Sequence, residues 1–269
     1  MNSKLKLIIY RNSCFIKSQI FKLDYQSFKL NYQLGGGKKL TVEYENNKYI
    51  YEEAHDENYY VLYSMDKNPF DCVAVVILKE EKIAEIHGIS NFESCMVQSN
   101  TNVGSKLLQI TIKMLQKYKT KLDINYIVLT DNSLKKCNNK NIKLSTMLIL
   151  LTGDTWYGKY GFRPYDPSNK KFDELLIEYY ENNKNIMNNI TILQANILKY
   201  IEKTENIKLI KATEKLLLTN PEMLLKDYLT NLLKNYDKTC DMFYIFYKEL
   251  FHNISLYNFH REIFALKLN

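Results

Sequence analysis

The sequence predicts a mixed α/β (α+β) fold: a central twisted sheet with flanking helices, plus an all-helical C-terminal region. Three observations predict it. Short runs rich in Ile, Val, Tyr and Phe crowd residues 4–93, partly alternating in polarity as half-buried strands do. An amphipathic stretch from Gly104 to Tyr118 then leads to a second apolar run, NYIVLT, which is a strand–helix–strand order. Beyond residue 180, apolar residues recur at helical spacing between short polar breaks.

A chain of 269 residues holds one large domain or two modest ones, and either buries a real core. With 46% apolar and 25% charged residues, the composition is that of an ordinary globular protein. Eight glycines and four prolines argue against long disordered linkers. The 22 tyrosines, with abundant Asn, Lys and Ile, are the usage of an AT-rich genome. A formal charge of +7 is mild, and the basic excess before residue 50 contains one arginine, Arg11, and no dense cluster. A solvated basic surface is the expectation there, and nucleic acid is not the expected partner. Cys14, Cys72, Cys95, Cys137 and Cys240 are widely spaced, odd in number and free of any CxxC. Reduced thiols in an intracellular, cytoplasmic setting fit them better than a disulfide framework or a zinc site, so no metal is expected. No 18-residue apolar run or signal-peptide pattern occurs, so neither a membrane span nor secretion is expected.

Taken in order, residues 4–65 read as strands, with Gly35-Gly36-Gly37 as a turn, because the run enters a strand and lacks phosphate-loop spacing. Glu45-Asn46-Asn47-Lys48 marks a hairpin connection. CVAVVILK (72–79) and KIAEIHGISNFE (82–93) form a second hairpin about Glu80-Glu81. The helix after Gly104 presents Leu107, Leu108, Ile110, Ile112, Met114 and Leu115 as one broad apolar sector. Residues 125–130 are a strand, 131–143 a polar excursion, and LSTMLILLT (144–152) a short helix. Pro164 and Pro167 exclude a regular central strand in the turn-rich stretch 161–170. Asn220-Pro221-Glu222 reads as a helix start within the helical region 181–263. FALKLN (264–269) reads as a terminal strand returning to the sheet.

Chemistry is expected where a strand meets a Gly-bearing turn and a helix. Free N–H groups at a helix start and the helix dipole favour an anion, and Asn102, Gly104 and Ser105 are the residues able to form that nest. Glu85, His87 and Glu93 share strand parity and hence one face, which makes them candidate bases if that face borders a cleft. Asp131, just past the end of strand 125–130, is a further candidate, with Asn132 and Ser133 beside it to orient substrate or cofactor. Trp156 is expected to pack at an element boundary.

Two motifs flank this block: Ser99-Asn100-Thr101-Asn102-Val103-Gly104 followed by SKLL, and Trp156-Tyr157-Gly158-Lys159-Tyr160-Gly161-Phe162. In that order they resemble the Q/R-x-x-G-x-G/A turn and the F/L-Y-x-x-x-G-F phrase of the GNAT superfamily of acyl-CoA N-acyltransferases. Ser99 stands at the family's Gln/Arg position and Asn102 at its first glycine. The resemblance covers residues 72–165 and implies a GNAT-like acyltransferase domain over residues 1–180. The helical extension, 181–263, lies outside the family pattern. By the resemblance, acetyl-CoA or another acyl-CoA is the cosubstrate and the acceptor is an amine, on a small molecule or a protein. It also implies that Asn102, Val103, Gly104 and Ser105 hold the pyrophosphate. Backbone within 93–97, including Cys95, Met96 and Val97, would line the pantetheine arm, and Tyr157 would be the general acid beside the CoA sulfur.

Two other readings stand beside the acetyltransferase. The substitutions at Ser99 and Asn102 fit a GNAT-like scaffold without activity, serving as a structural or protein-interaction module. Aromatics of the helical region such as Phe243, Tyr244 and Phe246 would then offer a surface for a protein partner or a second copy. The remaining reading is nucleic-acid binding, which needs Lys4, Lys6, Arg11, Lys17, Lys22 and Lys29 on one face.

Overall fold

The fold is that of a computed structural model, which describes residues 38–53, 59–63, 71–89, 103–137, 140–235 and 239–268. The strands expected before residue 38, the turn at Gly35-Gly36-Gly37, and Glu93, Cys95, Met96, Val97 and Asn102 lie outside the described residues. The chain is mixed α/β, with a mostly antiparallel sheet and seven helices among the described residues. It divides into two compact units. One runs to Leu129 and takes in Ser168–Lys170 and Leu266 onward; the other holds Thr130–Pro167 and Lys171–Ala265.

The first unit opens with an antiparallel meander: β1 (Lys39–Tyr44), β2 (Asn47–Glu53), β3 (Tyr59–Tyr63), β4 (Asp71–Leu78) and β5 (Ile83–Ile89). Tyr44 pairs with Asn47, leaving Glu45 (φ 48°) and Asn46 (φ 63°) as a two-residue turn. Two positive φ values in a row match the right-handed twist of the flanking strands. Helix α1 (Val103–Leu122) then crosses over, and β6 (Tyr126–Thr130) returns parallel to β5. A parallel pair cannot be joined by a tight turn, so the helix is what makes this pairing possible.

Helix α1 packs on β1, β4 and β5. Leu107, Leu108, Ile110, Met114 and Leu115 are wholly buried, and each such side chain contributes about 1.5–3 kcal/mol. Two phenols tie the helix to the strands. The Thr111 hydroxyl donates to the Leu107 carbonyl (2.7 Å), so Tyr51 is the donor in its 2.8 Å contact with Thr111 Oγ1. Tyr118 Oη accepts from Thr41 N–H (3.1 Å) and donates to Thr41 O (2.9 Å), covering backbone groups of the edge strand β1.

In the second unit, β7 (Leu134–Cys137) and β8 (Lys140–Lys143) form a hairpin, followed by α2 (Leu144–Thr152). A 3₁₀ turn (Gly158–Tyr160), β9 (Arg163–Asp166) and β10 (Lys171–Phe172) follow. Five helices come next: α3 (Glu174–Asn189), α4 (Ile197–Glu202), α5 (Ile207–Thr219), α6 (Leu225–Asn235) and α7 (Thr239–Asn253). The final strand, β11 (Ile263–Lys267), pairs with β9 in this unit, and beyond it Leu268 N–H donates to Asn125 O (2.9 Å) in the first unit. Helix α2, expected from the strand order, is the centre of the second unit and packs on α3, α6 and α7.

Four expectations need correcting. The polar excursion at 131–143 contains the β7–β8 hairpin. Asn220-Pro221 does not start a helix: Asn220 N–H bonds back to Leu216 O (2.7 Å) and ends α5. Residues 223–225 then pair with 190–192 through Ile192 N–H to Met223 O and Leu225 N–H to Ile190 O, each 2.9 Å, which delays α6 to Leu225. Pro164 sits inside β9, which lies between β11 and β10. The strand tolerates it because its pairing is only two residues long on each side, and Pro164 O still accepts from Asp173 N–H (3.1 Å). Cys72, 1% exposed at the start of β4, is disulfide-bonded and not a reduced thiol. Separation along the chain does not report which sulfurs meet in space.

Asn183 shows how the second unit joins helix to loop. It is 1% exposed on α3, and its amide donates to Tyr257 O (2.8 Å) while its Oδ1 accepts from Tyr257 N–H (2.9 Å). Two part-buried backbone groups are thereby satisfied by one side chain. Asn183→Ala leaves both backbone groups bare and is expected to cost about 1–3 kcal/mol. A urea unfolding midpoint within error of wild type would contradict that account.

Candidate functional site

In the first unit the decisive feature is in β5. Its register against β4 runs Val73↔Ile89, Ala74↔Gly88, Val75↔Ile86, so His87 is an extra residue in the ladder. An inserted residue of this kind bends and twists a strand locally and re-aims its side chains. At the same place the parallel pairing with β6 ends, its last partners being Ile86 and Leu129, although β5 runs on to Ile89. Burial changes with it: Ile83, Ala84 and Ile86 are buried, His87 and Gly88 exposed. A Cβ built on Gly88 would meet nothing within 4 Å among the described residues.

Glu85 and His87 do share a face, with Nε2 of His87 3.3 Å from Oε2 of Glu85. Val103, Gly104 and Ser105 form the first turn of α1, partly exposed, and that turn carries no acidic residue. Lys106 beside them is paired with Glu45 at 2.8 Å, and this contact raises its pKa.

The second unit holds Asp131 and Tyr157. Asp131 is wholly buried, its N–H donating to Glu262 O (3.0 Å) and its carbonyl accepting from Arg261 N–H (2.7 Å). Its Oδ1 accepts from the Ser133 N–H (3.1 Å) and from the Ser133 hydroxyl. Burial raises its pKa, against the opposing effect of Ser133 and of the neighbouring Ser145 hydroxyl. Ser145 lies near enough to act on the carboxylate, yet neither Asp131 Oδ2 nor Ser145 Oγ has a hydrogen-bond partner among the described residues. Asn132 is exposed, with its N–H turned back to Thr130 O (3.0 Å).

Tyr157 is 8% exposed and sits among rings, 4.8 Å from Trp156, 6.1 Å from Phe162 and 6.4 Å from Phe264 by centroid. Burial first, and the Asp131 charge second, push its pKa well up, so it is a neutral phenol at physiological pH. Trp156 packs against this tyrosine, as its position at an element boundary implied.

His260 went unnoticed in the sequence, where it is one of four isolated histidines. Its Nδ1 is buried without a partner among the described residues, and burial, then Lys143 and Arg261, lower its pKa. Nothing in its sequence neighbourhood signals this. Among the described residues no group of three or more His, Cys, Asp or Glu is placed to hold a metal, and no helix is long and apolar enough to cross a membrane. Comparisons with protein-family models, curated proteins and solved structures find no match.

The raised pKa of Asp131 has a definite consequence for stability. The protonated form favours the fold, a contribution present below the unfolded carboxyl value of about 4 and lost as pH rises through the folded value. Asp131→Asn escapes that loss, so its stability relative to wild type is expected to improve from about pH 4 to pH 7. Urea midpoints of both proteins at the two pH values measure it; a constant difference would mean Asp131 ionises without penalty.

Proposed function

We propose that the chain is an acyl-CoA-dependent N-acetyltransferase that moves the acetyl group of acetyl-CoA to an amine. The observation carrying this reading is the extra residue at His87 where the β5–β6 ladder ends. Among the described residues nothing lies within 4 Å of a Cβ built on Gly88 of β5, and the next described element is a helix with Gly104 in its first turn. An extended pantetheine arm needs such a strand, and a pyrophosphate needs such a helix start.

In the reaction the amine nitrogen forms a bond to the thioester carbon, the C–S bond breaks, and the nitrogen loses a proton. His87, its Nε2 3.3 Å from Glu85 Oε2, is the group we assign to take that proton, with Asp131 as the other candidate. The Tyr157 phenol donates a hydrogen bond to the departing sulfur. A thiol has a pKa near 8.5, far below this phenol's, so the tyrosine stabilises the thiolate without surrendering its own proton. Val103, Gly104 and Ser105 supply N–H groups to the pyrophosphate, and Asn132 orients substrate.

Titration with acetyl-CoA by calorimetry or thermal shift is expected to show binding at micromolar to low millimolar concentration. Tyr157→Phe is expected to bind equally well and to lose on the order of 10²-fold in kcat against an amine-acceptor panel. His87→Gln is expected to lower kcat/KM on the order of 10²-fold while leaving acetyl-CoA binding unchanged. No binding at millimolar acetyl-CoA would overturn the assignment.

A further inference from the structure

Tyr157 stands in a loop whose shape is dictated from outside the motif. Gly153 closes α2 with φ 76° and its N–H on Ile149 O, and Gly161 (φ 88°) closes the 3₁₀ turn. Between them Gly158, the residue after Tyr157, is gripped on every backbone group. Its N–H donates to Thr155 Oγ1 (3.0 Å); its carbonyl accepts from Gly161 N–H (3.0 Å) and from Arg163 Nη1 (3.1 Å), which also donates to Phe162 O (2.8 Å).

Helix α3 supplies the rest. Tyr180, 1% exposed, donates its hydroxyl to Asp154 Oδ1, and Lys184 Nζ lies 3.6 Å from Asp154 Oδ2. The Arg163 guanidinium lies over the Tyr180 ring, 4.8 Å from its centroid, and Lys184 lies 5.1 Å from it. A Cβ on Gly158 would come within 1.9 Å of Asp154 Oδ1 and 2.1 Å of the Tyr180 hydroxyl. The hydroxyl–carboxylate pair therefore rests directly on the Gly158 backbone. Filling this space would need only an apolar ring; burying a phenol on a carboxylate adds a directional constraint at a desolvation cost.

We propose that Tyr180, with Asp154 and Arg163, is a positioning residue for Tyr157, setting the direction of its hydroxyl through the backbone of Gly158. This rests on the reading of Tyr157 as the group that meets the leaving sulfur. The helical part of the chain thereby takes part in the chemistry without touching substrate.

The chain reports on this loop by itself, because its one tryptophan, Trp156, lies against Tyr157 at 4.8 Å. The test compares full-length wild type, Tyr180→Phe, Asp154→Ala, Asp154→Asn, Tyr157→Phe and the Tyr157→Phe/Tyr180→Phe double variant, each first checked for cooperative unfolding. Tyr180→Phe is expected to lower kcat roughly tenfold or more with KM for acetyl-CoA unchanged, and to shift Trp156 emission. The double variant is expected to be no slower than Tyr157→Phe. Asp154→Asn, which keeps an acceptor for the hydroxyl, is expected to retain kcat where Asp154→Ala loses it.

Folded Tyr180→Phe with wild-type kcat, or losses that add in the double variant, would overturn the positioning role. If wild type turns over no acetyl-CoA, or Tyr157→Phe matches it, the functional reading fails instead. Trp156 emission then judges the loop alone, and emission unchanged in Tyr180→Phe and Asp154→Ala overturns the proposal on that ground too.

Discussion

The parallel ladder between β5 and β6 is the constraint on which the first unit depends. Four residue pairs, Ile83↔Tyr126 to Ile86↔Leu129, hold it. Because two parallel strands must be joined across the sheet, α1 has to cover one face, and the apolar sector of α1 buries itself on β1, β4 and β5 as a result. The same ladder ends at Ile86↔Leu129, three residues before β5 itself does. His87 is the extra residue of β5 against β4, and buried positions give way to exposed ones directly after Ile86.

The second unit is organised by a different kind of force. Its apolar core of Phe162, Tyr247, Phe243, Phe246 and Phe264 is wholly or almost wholly buried, and non-directional burial of this kind does not place any one side chain finely. Polar bonds do. Asn183 takes both backbone groups of Tyr257, Arg163 takes two loop carbonyls, and Asp154 takes the Tyr180 hydroxyl. Asp131, by contrast, is buried with one oxygen unsatisfied, and its environment favours the protonated acid.

Much of the secondary structure was legible because its signals are local. The Glu45-Asn46 turn, the hairpin about Glu80-Glu81, α1, β6, α2 and β11 all follow from polarity period, turn chemistry and element order. The misreadings arise where a distant segment overrides a local preference. Asn220-Pro221 has good helix-start chemistry, yet the backbone of 190–192 claims residues 223–225 first. Pro164 argues against a strand only where a long ladder would need its missing N–H. Cys72 gave no sign of its disulfide, since sulfur pairing is a matter of three-dimensional distance. The site was legible in the same measure: strand parity brought Glu85 and His87 together, whereas the burial of Asp131 and of the His260 Nδ1 atom had no local signature.

The sequence by itself determined the mixed α/β class, the order of the elements and the residues eligible for chemistry, because these depend on side-chain type and spacing along a few turns or strands. Only the tertiary structure decided where the β5–β6 ladder ends, that Tyr157 is a buried neutral phenol, and that Gly158 must lack a side chain. Each of those depends on atoms from segments far apart in the chain. Tyr180 and Asp154 occupy the space a Cβ would need, and burial first, with the Asp131 charge second, raises the pKa of Tyr157.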